Sequence, residues 1–374
     1  MQDILGQIGD WAEPYAVATV VRTWRSSPRQ PGAAMAVNVS GEVVGSVSGG
    51  CVEGDLYLRC QDVLATGQAQ VARYGVSDAD AFSVGLTCGG ELEVLVRRVD
   101  PAAGEMKVLT DAVSRHEPAA LATVVRGPGA GVQLVVVGGE AHGSTGNPRL
   151  DRAVVTDALG LLEHGSNRLI HLGIDGEGRH DDVSVFVESY APPPRMLIFG
   201  AIDFAAALAR LGTFLGYHVT VCDARPVFAT GTRFPEADEV VVAWPHDFLV
   251  GAAGIDARTV ICVLTHDPKF DVPLLEEALR TEAAYIGVMG SRRTHDDRNA
   301  RLRERGMSEE QLARLRSPIG LDLGGRTPEE TAVSIGAEII ASRWGGTGRP
   351  LSELSTPIHG MTDRAAARPL PATV

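Results

Sequence analysis

The hydrophobic pattern changes character near residue 190. Before that point, apolar runs are bounded by Pro-Gly, Ser-Gly and Gly-Gly pairs, which reads as strands joined by tight turns. Beyond it, short continuous apolar runs alternate with helix-length segments: MLIFG (196–200), a helix over 203–215, VTVCD (219–223), EVVVA (239–243), TVICVLT (259–265), a helix over 271–280 and AYIGVMG (284–290). Strands of that kind are buried on both faces, and the alternation predicts a parallel, doubly wound sheet. A last helix should start at Thr327-Pro328-Glu329-Glu330, with Thr as cap, Pro in the first turn and Glu closing a capping box, and run to about Arg343.

The first half repeats itself. EPYAVATVVR (13–22) returns as EPAALATVVR (117–126) with eight of ten positions identical, and PGAAMAVNVSGEVVGS (31–46) is echoed by PGAGVQLVVVGGEAHGS (128–144). VLATG (63–67) matches LLEHG (161–165), and LEVLV (92–96) matches VSVFV (183–187). Two copies of one unit are expected to pack as a pseudo-symmetric pair. The predicted fold is α/β: an N-terminal α+β domain over 1–190, built from repeat units at about 13–97 and 117–190, then a Rossmann-like doubly wound sheet over 195–346. Ala191-Pro-Pro-Pro194 is read as a semi-rigid linker and 347–374 as a mobile tail.

Composition narrows the class. The 374 residues exceed what one core organises, and 34 Lys plus Arg against 47 Asp plus Glu give a net charge of −13, so a nucleic-acid partner is not expected. Only Lys107 and Lys269 are lysines, so basic contacts should come from arginine forks. No apolar run reaches the ~20 residues of a membrane helix. Five scattered cysteines, and a first stretch without a charged and then apolar leader pattern, fit a cytoplasmic protein.

The two copies diverge in their chemistry. Copy one carries SVSGGCVE (46–53) and LTCGGELE (86–93), and copy two has no cysteine. A Gly-Gly pair lets backbone N–H groups turn toward an anion or a thiolate, which makes Gly49, Gly50, Cys51, Cys88, Gly89 and Gly90 candidates; the bland alternative is two small hydrophobes in glycine-rich turns. Cys60, Cys222 and Cys262 lie in apolar patterns and read as core.

In a doubly wound sheet ligands gather beyond the carboxyl ends of the strands. Loops there hold Gly200-Ala201-Ile202-Asp203, Asp223-Ala224-Arg225, Thr265-His266-Asp267 and Gly290-Ser291-Arg292-Arg293. Asp223 stands at the spacing of an acid that receives a ribose hydroxyl, but Ile202 replaces the second glycine of the dinucleotide fingerprint, which argues against a standard NAD(P) pose. Ser291, Arg292 and Arg293 follow a strand end, where a bidentate anion contact is feasible. The arginines from Arg298 onward read as solvated helix charges with i,i+4 partners. His266-Asp267 reads equally as an oriented base or as a turn capping the next helix. No metal-ligand spacing, hydrolase elbow or P-loop is present, and no catalytic residue is assigned.

These stretches resemble the XdhC/CoxI proteins, accessory factors for xanthine dehydrogenase and aerobic carbon monoxide dehydrogenase. The resemblance is carried by VVRTWRSSPRQPGAAM (20–35), GSVSGGCVEGD (45–55), GLTCGGELEVLV (85–96), VTVCDARPVFAT (219–230), THDPKFD (265–271), YIGVMGSRRT (285–294) and SPIGLDLGGRTPEETAVSIGAEII (317–340). Where many members keep Gly-x-Gly-His, this chain has Gly200-Ala201-Ile202-Asp203. The resemblance implies a homodimeric maturation chaperone. It would bind the molybdenum cofactor, as Mo-molybdopterin or its cytidine dinucleotide, support addition of the terminal sulfur with a cysteine desulfurase, and insert the cofactor into an apo-molybdenum hydroxylase. Its motifs fall on Ser27, Pro28, Arg29, Pro31 and Gly32, on Gly49 to Cys51, on Cys88 to Gly90 and on Gly290 to Arg293. Arg29 would meet an anion, and Cys88 is the candidate thiolate contact to molybdenum. The rival expectations are an NAD(P)-dependent oxidoreductase with Asp223 on ribose and His266 as proton carrier, and a scaffold that never touches cofactor.

Overall fold

A computed structural model describes residues 1, 4–24, 29–75, 90–178 and 180–355. The chain divides into two compact units, the first built on Met1–Pro192 and the second on Pro193–Leu354, so the division falls within the proline run.

The first unit opens with α1 (Leu5–Ile8) and contains the repeat. Copy one is β1 (Tyr15–Trp24), β2 (Ala34–Val37), β3 (Val43–Gly45), α2 (Glu53–Thr66), β4 (Gln70–Tyr74) and β5 (Glu91–Val99). After the linking helix α3 (Gly104–Ser114) comes copy two: β6 (Ala119–Arg126), β7 (Gln133–Val137), β8 (Glu140–Gly143), α4 (Pro148–His164), β9 (Arg168–Leu172) and β10 (Val183–Tyr190). Each copy is a five-stranded antiparallel sheet, ordered β3-β2-β1-β5-β4 and β8-β7-β6-β10-β9, so the internal identity is an identity of topology. Strand β1 sends Ala16, Ala18 and Val20 toward α2, and Val17 and Val21 into apolar clusters shared with copy two. Burial on both faces explains why β1 and β6 read as continuous apolar runs. Helix α4 is capped by Asn147 with Pro148 in its first turn and ends at Gly165 in the left-handed region, φ +57°.

The second unit comprises β11 (Arg195–Phe199), α5 (Asp203–Phe214), β12 (His218–Asp223), β13 (Glu239–Val242), α6 (Pro245–Gly251), β14 (Val260–Val263), α7 (Pro268–Ala278), β15 (Tyr285–Val288), α8 (Arg292–Glu304), α9 (Glu309–Leu312), β16 (Leu315–Arg316) and α10 (Pro328–Trp344). Its six strands are all parallel, in the order β13-β12-β11-β14-β15-β16. The chain reverses direction across the sheet between β11 and β14, the position of a ligand crevice in doubly wound folds. One face packs against α5 and α10 through Leu208, Ala332, Ile335 and Ile339, and the other against α7 and α8 through Leu274, Leu275 and Leu302. The capping box at Thr327 and Glu330 starts α10 as expected, whereas α6 and the two-residue edge strand β16 were not anticipated. In the stretch expected to be a mobile tail, Leu351–Glu353 form a 3₁₀ turn, and residues from 356 on lie outside the described ones.

Candidate functional site

Antiparallel pairing decides where the copy-one motifs lie. Trp24 pairs with Glu91, Tyr74 with Leu92, and Gly45 with Met35. Trp24, Gly45, Tyr74 and Glu91, with the start of β2, therefore stand at the same end of the sheet, and the described segments 29–33 and 46–52 and Gly90 adjoin that end. Cys88 and Gly89 lie outside the described residues. The Trp24 ring marks the place, with the guanidiniums of Arg22 and Arg73 at 4.6 and 4.7 Å from its centroid and Arg73 paired to Glu91 at 2.6 Å.

The Gly-Gly loop is organised around an anion that belongs to the chain. The Glu53 carboxylate accepts from the Ser46 hydroxyl at 2.7 Å, the Ser48 hydroxyl at 2.5 Å, and the N–H groups of Ser48, Gly49, Gly50 and Val52 at 2.9 to 3.2 Å. Gly49 and Gly50 reach this shape at φ +78° and +119°, where a side chain would be strained. Burial is the largest influence on Glu53 and opposes its charge. The hydroxyls of Ser48 and Ser46, with the backbone donors, outweigh it together and hold the carboxyl at about 2. The two glycine N–H groups expected to face a bound anion or thiolate are thus turned inward. Gly49 and Gly50 are the exposed residues of the loop, and Cys51 follows them half-buried against the copy-one core, its N–H donated to the Ser48 hydroxyl at 3.0 Å.

Copy two supplies the comparison. Ser144 and Asp151 are spaced like Ser46 and Glu53, and Asp151 accepts from the Ser144 hydroxyl, the Thr145 N–H and the Thr145 hydroxyl. In that register Gly50 matches Pro148, yet α4 begins at Pro148 while α2 waits until Glu53. The glycine pair unwinds what is a first helical turn in copy two and places Cys51 on the unwound segment. Glu53 was missed by the sequence reading; the equal seven-residue spacing in the two copies was the available signal. Two further residues brace this end. Asp55 accepts from the Tyr74 hydroxyl at 2.6 Å, and Asn167 of copy two donates to the Pro31 carbonyl at 3.2 Å beneath the Arg29 loop. Gly32 sits at φ +99°, where a side chain would be strained, and a Cβ there would stand 2.0 Å from the Asn167 amide nitrogen and displace that brace.

In the second unit the expected loops do lie at the carboxyl edge of the sheet. Asp223, at the end of β12, is almost fully buried, and its oxygens accept from the Ala201 N–H at 2.8 Å and from three Arg225 donors at 2.8 to 2.9 Å. Burial opposes its charge, but Arg225 and the Ala201 N–H together keep the carboxyl below its usual range. The acid at the ribose-reading position is therefore saturated by its own chain, and the first turn after β11 gives a donor to Asp223. Asp267 caps α7 by accepting from the Lys269 N–H, which settles it as a cap, while His266 is exposed. Ser291 caps α8, and Arg292 and Arg293 are exposed, with no carboxylate paired to either among the described residues.

Arg298 corrects the expectation of solvated helix charges. It is 3% exposed and bonds Asp271 at 2.9 Å, the Met289 carbonyl at 3.1 Å and the Ser317 hydroxyl at 3.4 Å. Arg303 and Arg305 do pair at the surface, with Glu309 and Glu276 on other elements and not with i,i+4 partners. The remaining thiols are inert: burial pushes Cys60 and Cys222 up to about 12, and it raises Cys262 as well.

Comparison with known proteins meets this geometry. Residues 11–75 and 112–173 match the family described as "XdhC and CoxI family", and 196–339 match the "XdhC Rossmann domain". The chain belongs to the XdhC and CoxI family. It is 27% identical over 336 residues to a protein of Bacillus subtilis (strain 168) whose name makes it a probable subunit of xanthine dehydrogenase, covering 88% of this chain and 94% of that one. It is 25% identical over 327 residues to an Escherichia coli (strain K12) protein named "Molybdenum cofactor insertion chaperone PaoD", covering 87% and 83%. A crystal structure from Bacillus halodurans, described as a xanthine dehydrogenase, shares the fold with a TM-score of 0.68 at 24% identity, over 96% of this chain and 98% of that one. Both family segments contain a locus just described: the first holds the Glu53-anchored loop, the second the Arg292-Arg293 turn. Among the described residues no helix is long and apolar enough to cross a membrane.

Proposed function

We propose that the chain carries the molybdenum cofactor as cargo and inserts it into an apo-molybdenum hydroxylase. The observation that carries this reading is the anchored loop, which holds a half-buried cysteine, Cys51, on a fixed backbone in a chain related along most of its length to a molybdenum cofactor insertion chaperone. A soft thiolate suits a molybdenum centre, and an arginine fork suits the phosphate of a pterin cofactor. Cys51 and Cys88 are the proposed soft contacts, Arg29 an anion contact, and Ser291, Arg292 and Arg293 a second phosphate locus. Gly49 and Gly50 act through loop shape, since their N–H groups are engaged by Glu53.

The finer parts of the reading are that the chain works as a cytoplasmic homodimer, meets a cysteine desulfurase while the terminal sulfur is added, and takes Mo-molybdopterin or its cytidine dinucleotide. The test is to mix purified protein with the free cofactor, separate by gel filtration and measure molybdenum in the protein fraction. Stoichiometric retention that falls in Cys51→Ala and Cys88→Ala is expected. A wild-type protein that elutes without molybdenum overturns the reading, and full retention in both variants removes the thiols from it.

A further inference from the structure

The buried Arg298–Asp271 pair takes no part in cargo contact. Both side chains are almost fully excluded from water, within a cluster of Val272, Leu274, Leu275 and Leu302. Pairs like this are seldom retained for stability, because apolar side chains of similar volume commonly serve as well or better. What apolar side chains cannot do is bond several chain segments at once. One face of Asp271 accepts from the Thr265 hydroxyl, at the end of β14, and the other from Arg298. The same guanidinium reaches the Met289 carbonyl, one residue before Gly290, and the Ser317 hydroxyl ahead of α10. Gly290 itself sits at φ +146°, and a Cβ there would stand 3.3 Å from Thr294 and 3.5 Å from Arg298. The fork therefore closes from beneath the turn that presents Arg292 and Arg293.

We propose that Arg298 is a positioning residue. Through Asp271, Met289 and Ser317 it fixes the Gly290-Ser291-Arg292-Arg293 turn so that two guanidiniums meet a phosphate-bearing ligand together. This rests on the carrier function proposed above, in which the cofactor's phosphate is that ligand. A planar fork is required, because Nη2 serves Asp271 and the Met289 carbonyl while Nη1 serves Ser317, and the single nitrogen of an ammonium cannot stand in both places.

The experiment uses the full chain and three variants. Arg292→Ala/Arg293→Ala removes the contacts; Arg298→Met with Asp271→Leu replaces the pair by apolar volume; Arg298→Lys keeps the charge and loses the fork. Each is scored for melting temperature, for molybdenum retained after mixing with free cofactor, and for the salt dependence of that retention. The expected result is that both Arg298 variants melt close to wild type, retain about tenfold less molybdenum and lose part of the salt dependence, as the Arg292/Arg293 variant does. Should the Met/Leu pair fail to fold, Arg298→Lys and amide exchange over 289–294 decide alone, with faster exchange expected there. Wild-type retention in a folded Arg298 variant, while the Arg292/Arg293 variant is impaired, overturns this proposal and leaves the carrier reading standing. Wild-type retention in the Arg292/Arg293 variant overturns it together with the phosphate locus.

Discussion

Glu53→Gln is the substitution that tests how the copy-one loop is held. The side chain keeps its size but loses its charge, and an amide oxygen cannot receive the two hydroxyls and the backbone donors that now converge on the carboxylate. Holding the carboxyl at about 2 and not at 4.5 corresponds to about 3 kcal/mol before screening. Glu53 is partly exposed, and water reduces the expected contribution to about 1–2 kcal/mol. Because the folded value lies below the unfolded one, the contribution is complete above about pH 4.5 and is lost as pH falls toward 2; at pH 3 about 60% of it is gone. Amide exchange over residues 46–56 reads this locally, whatever the second unit does. At pH 7 the variant should show protection about tenfold lower than wild type, and by pH 3 the gap should have closed to about threefold. An equal gap at both pH values, or none at pH 7, would refute the anchoring role of the charge.

Three further outcomes follow from the same geometry. In a Cys88→Ser background, N-ethylmaleimide at pH 8 should label Cys51 in the native protein while Cys60, Cys222 and Cys262 remain unmodified until it unfolds; equal labelling of Cys60 by mass spectrometry would contradict their burial. Gly200→Ala places a Cβ 2.8 Å from the Thr265 methyl at φ +107°, and should cost about 1–3 kcal/mol, seen as a melting transition about 5 °C lower. An unchanged transition would mean that the β11 and β14 loops are not in close contact. Asn167→Ala removes the donor to Pro31 and the acceptor for the Ser189 N–H, and should weaken molybdenum retention although no copy-one residue is substituted; full retention would separate the Arg29 loop from its brace.

The parts of the fold that were legible are those that local pattern determines. Strands buried on two faces write themselves as apolar runs, and the eight shared positions between 13–22 and 117–126 could be shared only if β1 and β6 stand in equivalent places in equivalent sheets. Thr327, Pro328 and Glu330 announce a helix start because the cap is made within four residues. Cys60, Cys222 and Cys262 were legible as core for the same reason, each sitting inside an apolar period. The β4 to β5 return that would place Cys88 falls on residues outside the described ones.

The charged residues were harder, and the difficulty is physical. Arg298 sits on a helix whose sequence, RRTHDDRNARLRE, has the charge alternation of a solvated surface, and nothing within a few positions distinguishes it from Arg301 or Arg303. Its burial is decided 27 residues away, where Asp271 stands in a first turn flanked by Val272, Leu274 and Leu275. A carboxylate that close to an apolar helix face must find a partner or lose its charge. In the same way the glycine pair at 49–50 showed that N–H groups could gather around an anion, but not that Glu53 was that anion. The decisive comparison was between copies: an acid seven residues after a serine recurs at 144 and 151, where there is neither a cysteine nor a glycine pair. Since the acid is present with and without the thiol, it serves the loop first, and the glycines and Cys51 are what copy one adds to an anchor that copy two also has. Any chemistry proposed for Cys51 therefore has to run on a loop whose N–H groups from 47 to 52 are already engaged by Glu53 and Ser48, and has to draw on the sulfur, the carbonyls and the neighbouring side chains.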